Sequence, residues 1–239
     1  LLGLGRIALE RGRHSDAEDQ LRRAETLFGQ NRNRWEDAEA LLELCALSLE
    51  LRQPERAVEV LENSYGILEE LGIRDLVPRY FLLRGRIEED VAGGSAERAK
   101  KFLERALVEA REVHIPDLIA QVHHAIADLL LRQGERSLAL GHAREAEAIL
   151  AAHREPLPTK YQETFFSTRG RTALRSLCRD LESAGRADAA SPASSGPDDG
   201  ALLAEVLRAS RRDLEARDRV GHAAPAHEDQ GPRGRLRVV

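Results

Sequence analysis

Apolar and small residues recur along this chain at helical offsets, and the whole pattern returns about every forty positions. Leu4-Gly5, Gly12, Ala17, Leu21 and Ala24 make the first copy, and Leu44-Cys45, Ala57, Leu61 and Ser64 the second. Gly85, Ala99, Leu103 and Ala106 make the third, followed by Ile126-Ala127, Gly134, Ala139, Ala143 and Ala146. The marker alanines Ala17, Ala57, Ala99 and Ala139 are spaced by 40, 42 and 40 residues. Offsets of three and four place side chains on one helical face. Small residues on that face let a second helix approach to about 8–10 Å. Each copy therefore predicts a helical hairpin. One hairpin cannot bury its own apolar face, so the copies are expected to stack around a continuous core as an α-solenoid. No stretch alternates in the manner of a half-buried strand, which makes the expected class all-α.

Local signals mark where helices start and stop. Ser15-Asp16-Ala17-Glu18 reads as a capping box, and Thr159 with Gln162 as another. Pro54 suits a first helical position, Asp117 and Ser95 suit caps, and Gly72 suits a helix end. Four hairpins account for residues 1–152. Phe165 and Phe166, then Ala173, Leu174, Leu177, Cys178 and Leu181, give residues 153–184 an apolar helical face, read as a C-terminal cap over the last hairpin. Residues 185–200 are rich in Ala, Ser, Pro, Asp and Gly, the composition of a flexible linker. Leu203, Leu207, Ser210 and Leu214 predict an isolated helix over 201–219, and 220–239 are expected to be a disordered tail.

A forty-residue period suits HEAT and armadillo repeats as well as longer versions of other hairpin repeats. The signature Ala-x3-Leu-x2-Ala after a glycine-bearing turn resembles the tetratricopeptide repeat family, and Leu4-Gly5, Gly12, Ala17, Leu21 and Ala24 match that family's pattern at each place. The third copy departs, with Arg84 where a large apolar residue is expected and Val91-Ala92-Gly93-Gly94 lengthening the turn. The resemblance covers residues 1–152 and implies a right-handed superhelix whose first helices line a concave groove for a peptide or partner helix. Transferred position by position, it assigns Arg6, Glu10, Glu39, Arg79, Arg86, Gln121, His124, Asp128 and Arg132 to that groove. Arg79, Arg86 and Arg132 are suited to hold carboxylates bidentately.

The closing stretch Leu157-Pro158, Phe165-Phe166 and Arg169-Gly170-Arg171 is similar to the end of tetratricopeptide arrays in bacterial signalling and transcription regulators and in serine/threonine kinases. The resemblance implies a non-catalytic protein-interaction or sensory module, within a longer polypeptide carrying kinase-like, ATPase or output domains. A constitutive assembly scaffold or chaperone adaptor is the alternative of a different class, and an enzyme on a helical scaffold the third.

Composition narrows the chemistry. Of 239 residues, 42% are hydrophobic and only 4% aromatic, which suits helices packed through Ala and Leu. Arginines number 33 against 3 lysines, a bias that suggests GC-rich bacterial coding. The net charge of −5 argues against a general attraction to phosphate, so no direct nucleic-acid partner is expected. Cys45 and Cys178 both fall within helical patterns, indicating neither a disulfide framework nor a zinc site.

Gly3-x-Gly5-x-x-Ala8 is a loose dinucleotide fingerprint without the preceding strand that such a site needs, and Gly93-Gly94-Ser95 lacks the lysine of a phosphate loop. His123 and His124 are adjacent, hence about 100° apart on a helix, one expected in packing and the other in solvent or groove. His222 and His227 lie in the expected tail. The acidic runs Glu69-Glu70 and Glu88-Glu89-Asp90 read as solvated helix faces. No local catalytic constellation, metal set or cofactor motif is present in the sequence pattern, and none is expected. No apolar run reaches the length of a membrane span, which leads to the expectation of a cytoplasmic protein. The first residue falls inside a helical pattern and the chain contains no Met, so a piece of a longer protein is expected.

Overall fold

The computed structural model describes residues 1–91 and 93–190, with side chains to residue 185. Among these residues there is no strand. The helices are α1 (Leu2–Glu10), α2 (His14–Gln30), α3 (Arg34–Glu50), α4 (Pro54–Leu71), α5 (Val77–Asp90), α6 (Ala96–Glu112), α7 (Pro116–Arg132), α8 (Arg136–Arg154), the single turn α9 (Thr159–Gln162) and α10 (Arg169–Ala190), with a 3-10 turn at Phe165–Ser167 before α10. Consecutive helices from α1 to α8 pack against each other in chain order. The odd-numbered helices also touch in sequence, α1 with α3, α3 with α5 and α5 with α7. The predicted 201–219 helix and 220–239 tail lie outside the described residues. Of the predicted linker, residues 185–190 belong to α10 and the rest lie outside.

The repeated small residues sit at the helix crossings. Ala17, Ala57, Ala99 and Ala139 are fully buried, as are Leu21, Leu61, Leu103 and Ala143 one turn further on. Close approach is physical at the glycine places: a Cβ on Gly5 would stand 2.6 Å from Leu21 Cδ2, and one on Gly85 2.7 Å from Leu103 Cδ2. Cys45 and Ala127 occupy the same place in α3 and α7 and are fully buried. Burial pushes the Cys45 thiol up to about 12, leaving it protonated and inert. Arg84, the residue that broke the pattern, stays at the margin, its guanidinium 5.7 Å from the Phe102 ring centroid and 2.8 Å from Glu62. Beyond α8, Phe165 and Leu174 pack with Ala120, Ala146 and Leu150, while Cys178 and Leu181 join the cluster that holds Ala139 and Ala143.

The helix starts differ from the sequence expectation, and one device explains why. Six of the seven turns from α1 to α8 end a helix with one left-handed residue whose N–H, and that of its successor, return to the helix just left. After α1, Gly12 N–H donates to Leu9 O and Arg13 N–H to Ala8 O at 2.9 Å each. This is the Schellman arrangement. In five of these turns the successor is at once the residue before the next helix. Arg13 O, for instance, accepts from Ala17 N–H. The next helix thus starts before a side-chain cap has a place, and α2 begins at His14 with Arg13 before it and no side-chain cap. Ser15 is therefore inside the helix, and the predicted capping box is not formed.

Ile115, not Asp117, precedes α7. Ser95 does precede α6 but makes no side-chain cap bond. Pro158 precedes α9, and Gln162 instead donates to the carbonyls of Glu155 and Leu157. Pro54 at the start of α4 and left-handed Gly72 at its end stand where the sequence placed them.

Candidate binding groove

The odd helices present one face to a common cavity of about 840 Å³, whose other side is formed by Leu150 of α8 and by residues of the segment 168–174 at the start of α10. That volume lies within the range of ligand pockets, but the lining is mostly charged rather than apolar. Of the nine residues assigned from the sequence, Arg6, Glu10, Arg79, Arg86, Gln121, His124, Asp128 and Arg132 line it. Glu39 does not. It accepts instead from Arg6 Nη2 at 2.7 Å.

Two of the arginines expected to be free for a ligand are already engaged. Glu43, 3% exposed, sits between α1 and α5 and is held from both sides: Arg6 Nε donates to its Oε1, and Arg79 Nη2 to its Oε2 at 2.6 Å. A buried carboxylate at this depth requires such pairing. Burial opposes the charge on Arg6, but Glu43 and Glu39 outweigh it and raise its pKa. Arg132 Nη1 lies 2.6 Å from Glu89 Oε2, whose side chain is 5% exposed. Burial, with Asp128 and Asp90 acting in the same direction, raises the Glu89 carboxyl against the pull of Arg132 and Arg86. Glu43 was not assigned from the sequence, and Glu88 and Glu89, expected on a solvated helix face, are instead buried against arginines. Glu43 had a signal, since it interrupts the run Leu41-Leu42-Glu43-Leu44-Cys45 on a helix that is otherwise apolar on nearly every side.

Arg86 is different. It is exposed and makes no hydrogen bond or ion pair with a described residue, although its charge is felt by Cys45, Glu89 and His124. His124, one turn from Asp128 with Nε2 to Oδ2 at 3.7 Å, is lowered by burial and by Arg86 despite that carboxylate, and is neutral at neutral pH. His123 faces away from the groove, into the packing of α7 on α8.

The 168–174 wall reaches across the molecule. Arg169 Nη1 donates to Glu50 Oε2 at 2.7 Å, and the same oxygen lies 3.1 Å from His14 Nε2. The backbone N–H of Arg169, in the first turn of α10, donates to Glu10 Oε2 at 3.0 Å, so a carboxylate from α1 caps α10. Arg171 donates to Asp117 Oδ1 through Nε at 3.1 Å and Nη2 at 2.8 Å, and to the Phe165 carbonyl, with its guanidinium 3.9 Å from the Phe165 ring centroid. Asp117 also accepts from Gln121 at 3.0 Å. The sequence held no signal for the contacts of Arg169 with Glu10 and Glu50 or of Arg171 with Asp117, because those partners are more than fifty positions apart.

Among the described residues no three His, Cys, Asp or Glu side chains are grouped as metal ligands, and no helix is long and apolar enough to cross a membrane. No protein-family model matches the chain, and no curated protein sequence matches it.

Proposed function

We propose that this chain is a non-catalytic protein-interaction module, an α-solenoid of tetratricopeptide type whose groove receives a peptide or partner helix, within a bacterial signalling or transcription regulator. The observation that carries this reading is Arg86, an exposed cation without a partner among the described residues, in a cavity whose other repeat arginines are neutralised by the molecule's own carboxylates. Fixed charges in a walled cleft orient a partner and raise its rate of encounter. The alternation of groove-lining odd helices with even helices behind them supports the solenoid, as does the burial of all four marker alanines.

Photocrosslinking in the full chain tests the reading. A crosslinker at Gln121, on the groove wall, is expected to capture a partner that the same group at Glu59, exposed on α4, does not. Arg86→Ala is expected to abolish the Gln121 product without moving the melting temperature. Equal capture from both positions, or a product indifferent to Arg86, removes the groove from the function.

A further inference from the structure

Thr168, Arg169, Gly170 and Arg171 come from outside the four hairpins, yet they form one side of the cavity. Glu50 lies 119 positions from Arg169 in sequence, and Glu10 lies 159. We propose that this segment is a resident occupant of the groove, and that Glu10 and Glu50 form a docking site for an arginine of a partner peptide, which competes with Arg169. The proposal rests on the reading of the groove as a peptide site and adds the chemistry of the peptide.

Three observations converge. The first is the use of charge. Glu43 and Glu89 are neutralised by arginines of the odd helices themselves, whereas among the described residues Glu50 meets only the Arg169 guanidinium and His14, and Glu10 only the backbone N–H of Arg169. The second is balance. Seven carboxylates and seven arginines line the cavity, and two of those arginines are Arg169 and Arg171. With Arg169 withdrawn and Arg171 in place the lining carries one uncompensated negative charge, in walls that focus the field on an incoming cation.

The third is the contrast in anchorage. Arg171 is 23% exposed, stacked on Phe165 and bonded to its carbonyl, which fixes the base of the segment. The Arg169 side chain is 54% exposed and reaches Glu50 through a single nitrogen. Exposed pairs of this kind contribute little to stability and are screened by salt. The tip can therefore leave while the base stays.

A ligand that needs the open form binds with its intrinsic constant divided by the open fraction. Removing the Arg169 side chain should thus expose the site. The probe is a labelled synthetic peptide, Ser-Thr-Arg-Gly-Arg-Thr-Ala, the sequence of residues 167–173, titrated against the full chain by fluorescence anisotropy. The Arg169→Ala chain is expected to bind it at least tenfold tighter than wild type, and adding Glu50→Gln is expected to cancel the gain. A peptide with both arginines replaced by alanine is expected not to bind. Arg169→Glu, repelled by both carboxylates, gives a second opened chain should the alanine variant fold poorly.

Equal affinity of wild type and both opened chains overturns the proposal, and so does binding that survives Glu50→Gln. If Gln121 captures a partner while the arginine peptide binds neither opened chain, the strap inference falls and the groove reading stands.

Discussion

His123 is 3% exposed, and its Nδ1 lies 3.0 Å from the Nδ1 of His142, so one ring must donate and the other accept. Its Nε2 is buried with no hydrogen-bond partner among the described residues, and the charged groups felt by the pair, Arg111 and Lys100 of α6, are both cationic. Burial together with these charges pushes His123 down to about 3 and lowers His142. The folded state therefore refuses protons that the unfolded chain takes up near pH 6.5. The stability these residues contribute is complete above that pH and is lost as pH falls toward about 3, with a slope of about 1.4 kcal/mol per pH unit for each proton. His124 acts in the same sense, and the raised Glu89 in the opposite one. Melting temperatures at pH 7 and pH 5 are expected to differ at least twice as much for wild type as for His123→Leu/His142→Leu. An unchanged difference would mean that the pair is not held neutral. Adjacent histidines on one helix were legible as pointing apart, but the partner on α8 was not, because no local spacing relates position 123 to 142.

At the scale of the element, the helices were legible because the sequence repeats the same face four times. The starts of α2, α7 and α9 were not, because the turns work through backbone conformation. Left-handed residues close the turns at Gly12, Gly72, Gly93 and Gly134, but also at Arg32, Arg52 and His114. Glycine announces such a place in a sequence, and arginine or histidine does not. The same chemistry makes the non-glycine turns improvable. Arg32, at φ 57°, shows no side-chain hydrogen bond or ion pair among the described residues, so Arg32→Gly is expected to raise stability by about 0.5–1 kcal/mol. Gly134→Ala, at φ 85°, is expected to lower it by at least as much. Chemical denaturation of the two variants checks both signs, and equal shifts would contradict the assignment of strain.

Across the whole molecule, the groove wall is held by a polar network that ties α1, α3 and α5 through Glu43. Eight of the nine residues that the family resemblance assigned to the first helices line the cavity. What the resemblance could not supply was pairing, because a charge that faces a groove looks the same in sequence whether its neighbour neutralises it or not. Arg79 and Arg86 illustrate this: both line the cavity, the first half-buried against Glu43 and the second exposed and unpaired among the described residues. Glu43→Ala, which leaves Arg6 and Arg79 facing each other, is expected to cost about 3 kcal/mol of stability by denaturant titration. A cost near zero would mean that the network is ornamental to the fold.

The bond from the Arg169 backbone to Glu10 also orders events in time. Hairpins draw on neighbours a few tens of residues away, whereas this link must bring together points 159 positions apart, and the entropy of gathering a chain grows with the span. The opening turn of α10 is thus expected to find its cap only after the hairpins between have assembled, and to be the last part of the body to settle and the first to loosen.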